Sequence, residues 1–293
     1  MMKLKRTFSK PYFIAEVSSN HNQSLTRCLD FVDVAADIGC DAVKFQLFKI
    51  EQLFCKEVVD SREEIRSRKK WELPIEFLPK IKNRCLEKNI DLGVTPFFLD
   101  AVNILEPIVD FFKIASYELL WDDILIKCAT TGKELILSTG MANMKEITHA
   151  VNVLSRENCN RFSLLHCTSA YPTPKDECNL AAIKTLRDSF KCDIGWSDHS
   201  ANPGVVLRAI HKWDASIIEF HLDLDRKGDE YKSGHCWLPD VMKNVISNSK
   251  NFDQTDGSGD KKPCKSENPD REWRADPSDG LRPLMKTRRN IKI

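Results

Sequence analysis

Several features are missing from these 293 residues, and each absence removes a class of protein. No apolar run reaches the roughly 18 residues that a membrane span needs, and mean hydropathy is -0.38. The basic opening MMKLKRTFSK is not followed by an apolar segment or a small-residue cleavage site, so no secretory signal is expected. No charge excess exists either: 44 basic residues face 43 acidic ones, for a net charge of +1. That balance argues against a dedicated nucleic-acid binder, while a local anion pocket stays open. The 11 cysteines include no CxxC pair and follow no repeating spacing. An odd, scattered set argues against a disulfide framework or zinc ribbon and for a reducing cytoplasm, with most thiols serving as small buried hydrophobes. Glycine-rich GxGxxG and Walker-type loops are absent, which weakens nucleotide-binding readings.

What remains is a chain rich enough in apolar residues, at 42%, to bury a sizeable core. Its length suits one large α/β barrel or two ordinary domains. Short apolar runs predict strands at Tyr12–Ser18, Ala42–Gln46, Asp91–Thr95, Phe111–Ile114, Leu135–Ser138, Phe162–His166, Asp193–Trp196 and Ile217–His221. Helical patterns lie between and after them, near 24–38, 75–88, 99–108, 122–131, 143–155, 179–188, 202–213 and 239–248. Strands alternating with helices imply βαβ units and a parallel sheet. Eight such units fit a single (β/α)8 TIM barrel over residues 1–249 better than an open doubly wound sheet.

Two regions interrupt the rhythm. Residues 49–74 insert a charged stretch between the second strand and its helix. A βα loop of that length reads either as a functional element or as a solvated surface helix. Residues 250–293 form a polar linker and a short tail, whose end, WRADPSDGLRPL, regains apolar and turn residues.

The chemistry collects at the strand ends. In barrels of this kind the active site sits at the C-terminal ends of the strands. Here those ends carry Glu16; Lys44 and Gln46; Thr95; Lys113, Ser116 and Glu118; Ser138; His166, Ser169 and Tyr171; Ser197 and His199; and Glu219 and His221. Lys44 and Gln46 share a face, as do Glu219 and His221, because strand side chains alternate. A strand buried on both sides should read as apolar, and charges inside it are costly unless paired or used. Two lysines with several hydroxyls make an anion pocket for a small phosphate- and carboxylate-bearing substrate. A Schiff-base lysine is the alternative, and it requires a depressed amine. His199 and His221 end adjoining strands, where they suit one divalent metal acting on a carbonyl oxygen. Glu16 adjoins the last strand after barrel closure, as a ligand or as a group that orients one.

The ordered segments AEVSSNHNQS, AVKFQLF, VTPF, KIASYE, LSTGM, LLHCTSAYPTP, GWSDHS and IIEFHL resemble the N-acetylneuraminate (sialic acid) synthase family over about residues 11–240. The resemblance implies a metal-dependent condensation of phosphoenolpyruvate with N-acetylmannosamine or a related amino-sugar aldehyde, with release of phosphate. It places phosphoenolpyruvate on Lys44, Thr95, Lys113, Ser116, Ser138, Ser169 and Ser197. Manganese or magnesium would sit on His199 and His221. The sugar would meet Gln46, Tyr171 and Glu230, with Glu16 and Glu118 as acid/base and positioning carboxylates. A homodimer is implied by resemblance alone, and no membrane or nucleic-acid partner is expected.

Three departures stand out. Ser169 occupies a position where the family often has Asn. The run GDEYKSGHCWLP replaces the usual Asp-containing turn, which leaves Asp229 as the rival of Glu230 and leaves His235 either at the site or on the loop surface. Family members often add an antifreeze-like domain that lends an arginine to a partner's site; Arg274 or Arg282 in the tail is the candidate substitute. Two other readings remain open: a phosphoenolpyruvate-dependent sugar-acid synthase or aldolase using a different aldehyde, and a non-catalytic binding protein on the same barrel.

Overall fold

The computed structural model describes residues 10–251 and 253–290, so the basic residues 1–9 lie outside it. The chain divides between Lys250 and Asn251 into two compact units.

In the first unit, eight parallel strands close into a barrel in sequence order. They are β1 (Tyr12–Glu16), β2 (Ala42–Leu47), β3 (Asp91–Pro96), β4 (Phe111–Ile114), β5 (Glu134–Ser138), β6 (Phe162–His166), β7 (Asp193–Asp198) and β8 (Ile217–His221). Closure comes from β1 pairing with β8, Glu16 against His221. The architecture is therefore the (β/α)8 barrel that the alternating pattern predicts. Three strand ends differ from expectation by one residue, at Leu47, Pro96 and Glu134, and two differ by two residues for local reasons. β1 stops at Glu16 because Ser18 adopts a left-handed φ of 47°, which no strand can continue. β7 runs on to Asp198 because the β8 ladder still pairs there, Ser197 with Glu219 and Asp198 with Phe220.

The helices that follow the strands are Leu25–Asp37, Leu78–Lys88, Leu99–Leu105, Asp122–Ala129, Met144–Arg156, Ala182–Ser189, Pro203–His211 and Pro239–Asn251. Their starts are written locally. The Asn143 side chain accepts from Lys145 N and Glu146 N while Glu146 reciprocates, a capping box. Asn202 caps the next-to-last helix with Pro203 at its first position.

The core has two layers. Outward-facing strand residues such as Val43, Phe45, Val94, Phe112 and Phe220 pack against the helices. Inside the barrel, Tyr12, Ile14, Ala42, Phe111, Ile136, Leu165 and Ile217 fill the floor. Gly93 makes room for that floor, since a Cβ there would lie 2.2 Å from the Phe111 ring. One step up five of the strands, the same inward face turns polar: Tyr12 and Ile14 give way to Glu16, Ala42 to Lys44 and Gln46, Phe111 to Lys113, Ile136 to Ser138, and Ile217 to Glu219 and His221. The apolar plug therefore sets the depth at which charged groups begin.

The long segment after β2 is not a single solvated helix. It forms short helices at Ile50–Leu53, Lys56–Ser61 and Glu63–Arg66, then a 3-10 turn at Ser67–Trp71. Buried Ile50 and Ile65 join Phe48 in a small core of their own, against which Leu53, Phe54 and Trp71 pack.

The second unit holds a short helix Asp253–Asp256, a 3-10 run Lys265–Trp273 and a last turn Met285–Arg288. Within it, Leu284 N donates to Glu272 O at 2.9 Å and Met285 N to Asp276 Oδ2 at 2.6 Å. Arg274 and Arg282 belong to this unit. Among the described residues no helix is long and apolar enough to cross a membrane, and all eleven cysteines are free.

Candidate active site

A cavity of 690 Å³ opens above the polar layer of the barrel. On one side stand the two lysines. Lys44 is buried, forms an ion pair with Glu16, and donates to Thr95 Oγ1 at 3.2 Å. Lys113 is also buried and donates to Ser138 Oγ at 2.6 Å and to Ile114 O at 3.1 Å. Glu219 lies between them, 3.8 Å from Lys44 Nζ and 3.7 Å from Lys113 Nζ, and accepts from Ser197 Oγ at 2.8 Å. Burial opposes its ionisation, but Lys113, Lys44 and Ser197 together hold the Glu219 carboxyl down to about 2. Burial also works against charge on both lysines. For Lys44 the Glu16 and Glu219 carboxylates overcome it and raise the amine; for Lys113 burial wins and the amine is lowered. The pocket thus holds two lysine amines at fixed positions, with Thr95, Ser116, Ser138 and Ser197 as nearby hydroxyls.

The carboxylates have different settings. Glu16 Oε1 accepts from Ser18 N at 2.8 Å and from Gln46 Nε2 at 3.0 Å, so Gln46 and Lys44 jointly fix its position. Glu118 lies beyond β4, and its buried Oε2 has no hydrogen-bond partner among the described residues. Burial, only partly offset by Lys113, pushes the Glu118 carboxyl up to about 7. A carboxyl that titrates near neutrality at a cavity wall suits proton transfer.

Histidines form the opposite wall. His199 Nδ1 lies 2.8 Å from Thr168 O, an acceptor only, so that nitrogen carries the proton and Nε2 keeps its lone pair. Burial, then the neighbouring His221, push the His199 imidazole down to about 3, so the ring is neutral at pH 7. His221 Nδ1 donates to Glu230 Oε2 at 3.0 Å, which likewise leaves Nε2 free. The two rings stand 5.4 Å apart, centroid to centroid, and Tyr171 packs on His199 at 4.2 Å.

Every residue expected at the site lines this cavity except Ser169. Ser169 sits behind Ser116, sharing a 2.9 Å hydroxyl contact, and lines a separate hollow. Glu230, expected at the sugar, has both oxygens occupied by protein groups. Oε1 accepts from Ser18 Oγ at 2.5 Å and Ser19 Oγ at 3.1 Å, and Oε2 faces His221 and His235. Asp229 points elsewhere, accepting from Trp71 Nε1 at 2.5 Å and pairing with Lys70 at 2.9 Å. That contact joins the segment after β2 to the loop after β8. Gln23 reinforces it by donating to Lys69 O and Glu72 O, each at 3.0 Å.

Several lining groups had no definite role in the sequence reading of the site. Glu219 shared a strand face with His221, but nothing assigned it a role. His235 stood in a loop with no period to orient it. Arg68 and Trp71 lay in the charged insertion, where Ile50, Leu53, Phe54, Val58, Val59, Ile65 and Trp71 signalled a packed element.

A model described as the NeuB family matches residues 31–261. N,N'-diacetyllegionaminic acid synthase of Campylobacter jejuni is 35% identical over 273 residues, covering 88% of this chain and 81% of that protein. The protein of the same name from Legionella pneumophila is 32% identical over 275 residues, covering 88% and 76%. Among solved structures, the N-acetylneuraminic acid (sialic acid) synthetase of Leptospira borgpetersenii superposes with a TM-score of 0.78 at 32% identity, covering 89% of this chain and 90% of that one.

Proposed function

Because the chain belongs to the NeuB family, we propose that it condenses phosphoenolpyruvate with the aldehyde of an acylamino sugar, releasing phosphate and forming a nonulosonic acid. The observation that carries this reading is the cavity itself. Two buried lysines ringed by hydroxyls face a histidine wall, with a carboxyl of about neutral pKa beside them.

Phosphoenolpyruvate is small and bears one carboxylate and one phosphate. Lys44 with Thr95 and Lys113 with Ser138 supply two separate anion anchors, each a point charge with a directed hydroxyl. Ser116 and Ser197 add further donors at the same wall. Held there, the enol carbon C3 faces the histidine side, where the sugar aldehyde enters. Bond formation between C3 and the aldehyde carbon uses up the C2=C3 and C=O π bonds, leaving positive charge at C2 and an alkoxide that takes a proton from solvent to become the new hydroxyl. Glu118 accepts the proton from the water that adds to C2, and the resulting tetrahedral centre expels phosphate by breaking its C2–O bond. Glu16, fixed by Lys44, Gln46 and the Ser18 amide, and the nearby Glu219 stabilise the developing positive charge.

The donor set also fits a divalent metal. His199 and His221 each have Nδ1 engaged by an oxygen acceptor, which leaves Nε2 as the nitrogen available for a ligand bond. His199 and His221 would hold the ion, which when bound supplies Lewis-acid polarisation of the aldehyde oxygen. The sugar end is read from Gln46, Tyr171, Arg68 and Trp71, which line the outer cavity. Eleven free thiols fit a reducing compartment, so we place the reaction in the cytoplasm.

The test is phosphate release from phosphoenolpyruvate with a panel of acylamino and plain aldehyde sugars in manganese or magnesium. Release with acylamino sugars supports the reading, and release only with plain aldoses replaces it with a different sugar-acid synthase. Binding of phosphoenolpyruvate with no release from any sugar refutes catalysis of this kind.

A further inference from the structure

The loop after β8 brings a third imidazole to the histidine wall. Its two ends are tied together: Asp223 N donates to Trp237 O at 2.9 Å and Trp237 N to His221 O at 2.7 Å. Trp237 Nε1 donates to the buried Asp198 carboxylate at 3.0 Å. Asn20, from the loop after β1, receives Glu230 N at 2.9 Å and donates to Leu222 O at 3.0 Å. Gly228 is required for that approach, since a Cβ there would lie 2.3 Å from Asn20 Oδ1. The loop is therefore built rather than draped, and it delivers His235 to the cavity at 4% exposure.

Three observations converge on His235. Its ring centroid lies 4.7 Å from that of His221. Its Nε2 is 3.5 Å from Glu230 Oε2, the oxygen that also receives His221. Its Nδ1 is buried and has no hydrogen-bond partner among the described residues, an arrangement that costs energy unless something else satisfies it. His221, Glu230 and His235 each offer a ligand atom, all within 4.8 Å of one another.

We propose that His235 joins His199 and His221 in holding the divalent cation through Nδ1, the nitrogen turned away from Glu230, with Glu230 as the carboxylate that orients both His221 and His235. Glu230 then serves the metal centre and not the sugar, which agrees with its four protein partners. The purpose of the site rests on the synthase reading, but its existence does not.

The experiment uses the full chain without substrates and manganese(II) as the probe. Free manganese is counted by electron paramagnetic resonance, and nitrogen coupling to the bound ion by spin-echo modulation. The wild type is expected to bind one manganese with imidazole coupling. His235→Gln should weaken binding by about 10–100-fold and reduce the nitrogen modulation. His149→Gln, at an exposed histidine paired with Asp122, should change neither. Wild-type affinity and modulation in His235→Gln would overturn His235 as a ligand. Should that variant fail to fold, the wild type still decides: manganese must protect His235 from diethyl pyrocarbonate, and absence of protection rejects the proposal. A chain that binds manganese through His235 yet releases no phosphate with any sugar refutes the proposed reaction and leaves this site standing.

Discussion

Replacing Lys113 by Met removes a charge while keeping most of the side-chain volume, and its effects separate structure from binding. In the folded chain Lys113 is the first of the cationic partners that hold Glu219 ionised against the cost of burial. The fall of that carboxyl from 4.5 to about 2 corresponds to roughly 3 kcal/mol of favourable interaction. Breaking a buried pair on one side costs a similar ~3–5 kcal/mol. The sign follows from the direction of the shift. A depressed carboxyl stabilises the fold above its unfolded pKa, and that contribution is lost as pH falls from 4.5 towards 2. Lys113→Met should therefore lower unfolding free energy in urea by about 3 kcal/mol at pH 7, and by less as pH falls through that window. It should also weaken phosphoenolpyruvate binding by roughly 10–100-fold, the worth of one charge-assisted hydrogen bond at ~1.5–3 kcal/mol. The double variant Lys113→Met/Glu219→Gln removes the stranded charge. It is expected to regain most of the stability and none of the phosphoenolpyruvate affinity. Recovery of both together, or loss of neither in the single variant, would refute the view that Lys113 is both Glu219's partner and a substrate anchor.

Other expectations follow from named contacts. Wild-type turnover should rise as pH climbs through about 7, the Glu118 value; Glu118→Gln should flatten that limb and lower kcat by about 10²–10⁴-fold. Trp71→Ala removes the donor to Asp229 and an apolar wall of the outer cavity; the KM for sugar should increase several-fold while the KM for phosphoenolpyruvate holds, and an equal rise in both would count against a sugar-side role. Gly93→Ala would set a Cβ 2.2 Å from Phe111, so urea unfolding should show a loss of about 1–3 kcal/mol from overpacking, relieved by Phe111→Leu.

The barrel was legible because its strands are short, apolar and regularly spaced, and because Lys44, Lys113 and Glu219 stand where a doubly buried strand should be apolar. Alternation alone put those groups on one face. The change from plug to polar layer, Phe111 to Lys113 or Ile136 to Ser138, repeats that rule along five of the strands. Legibility ended where position depends on distant partners. Glu230 owes its place to Ser18, Ser19 and Asn20, more than two hundred residues away in sequence. His235 depends on Trp237 reaching Asp198. The segment after β2 concealed its packing because its helices are too short to show a period. Ser169, placed at phosphoenolpyruvate by the resemblance alone, lies against Ser116 and lines a separate hollow.

The central claim is that Lys44 and Lys113 hold phosphoenolpyruvate while its C3 attacks an acylamino aldehyde and its C2–O bond breaks. Phosphoenolpyruvate carrying oxygen-18 in the C–O–P bridge tests this in one turnover with an acylamino aldehyde sugar. The account predicts labelled phosphate and an unlabelled nonulosonic acid in equal amounts. Label retained in the sugar acid, or no phosphate from any sugar in a chain that binds phosphoenolpyruvate, would contradict it.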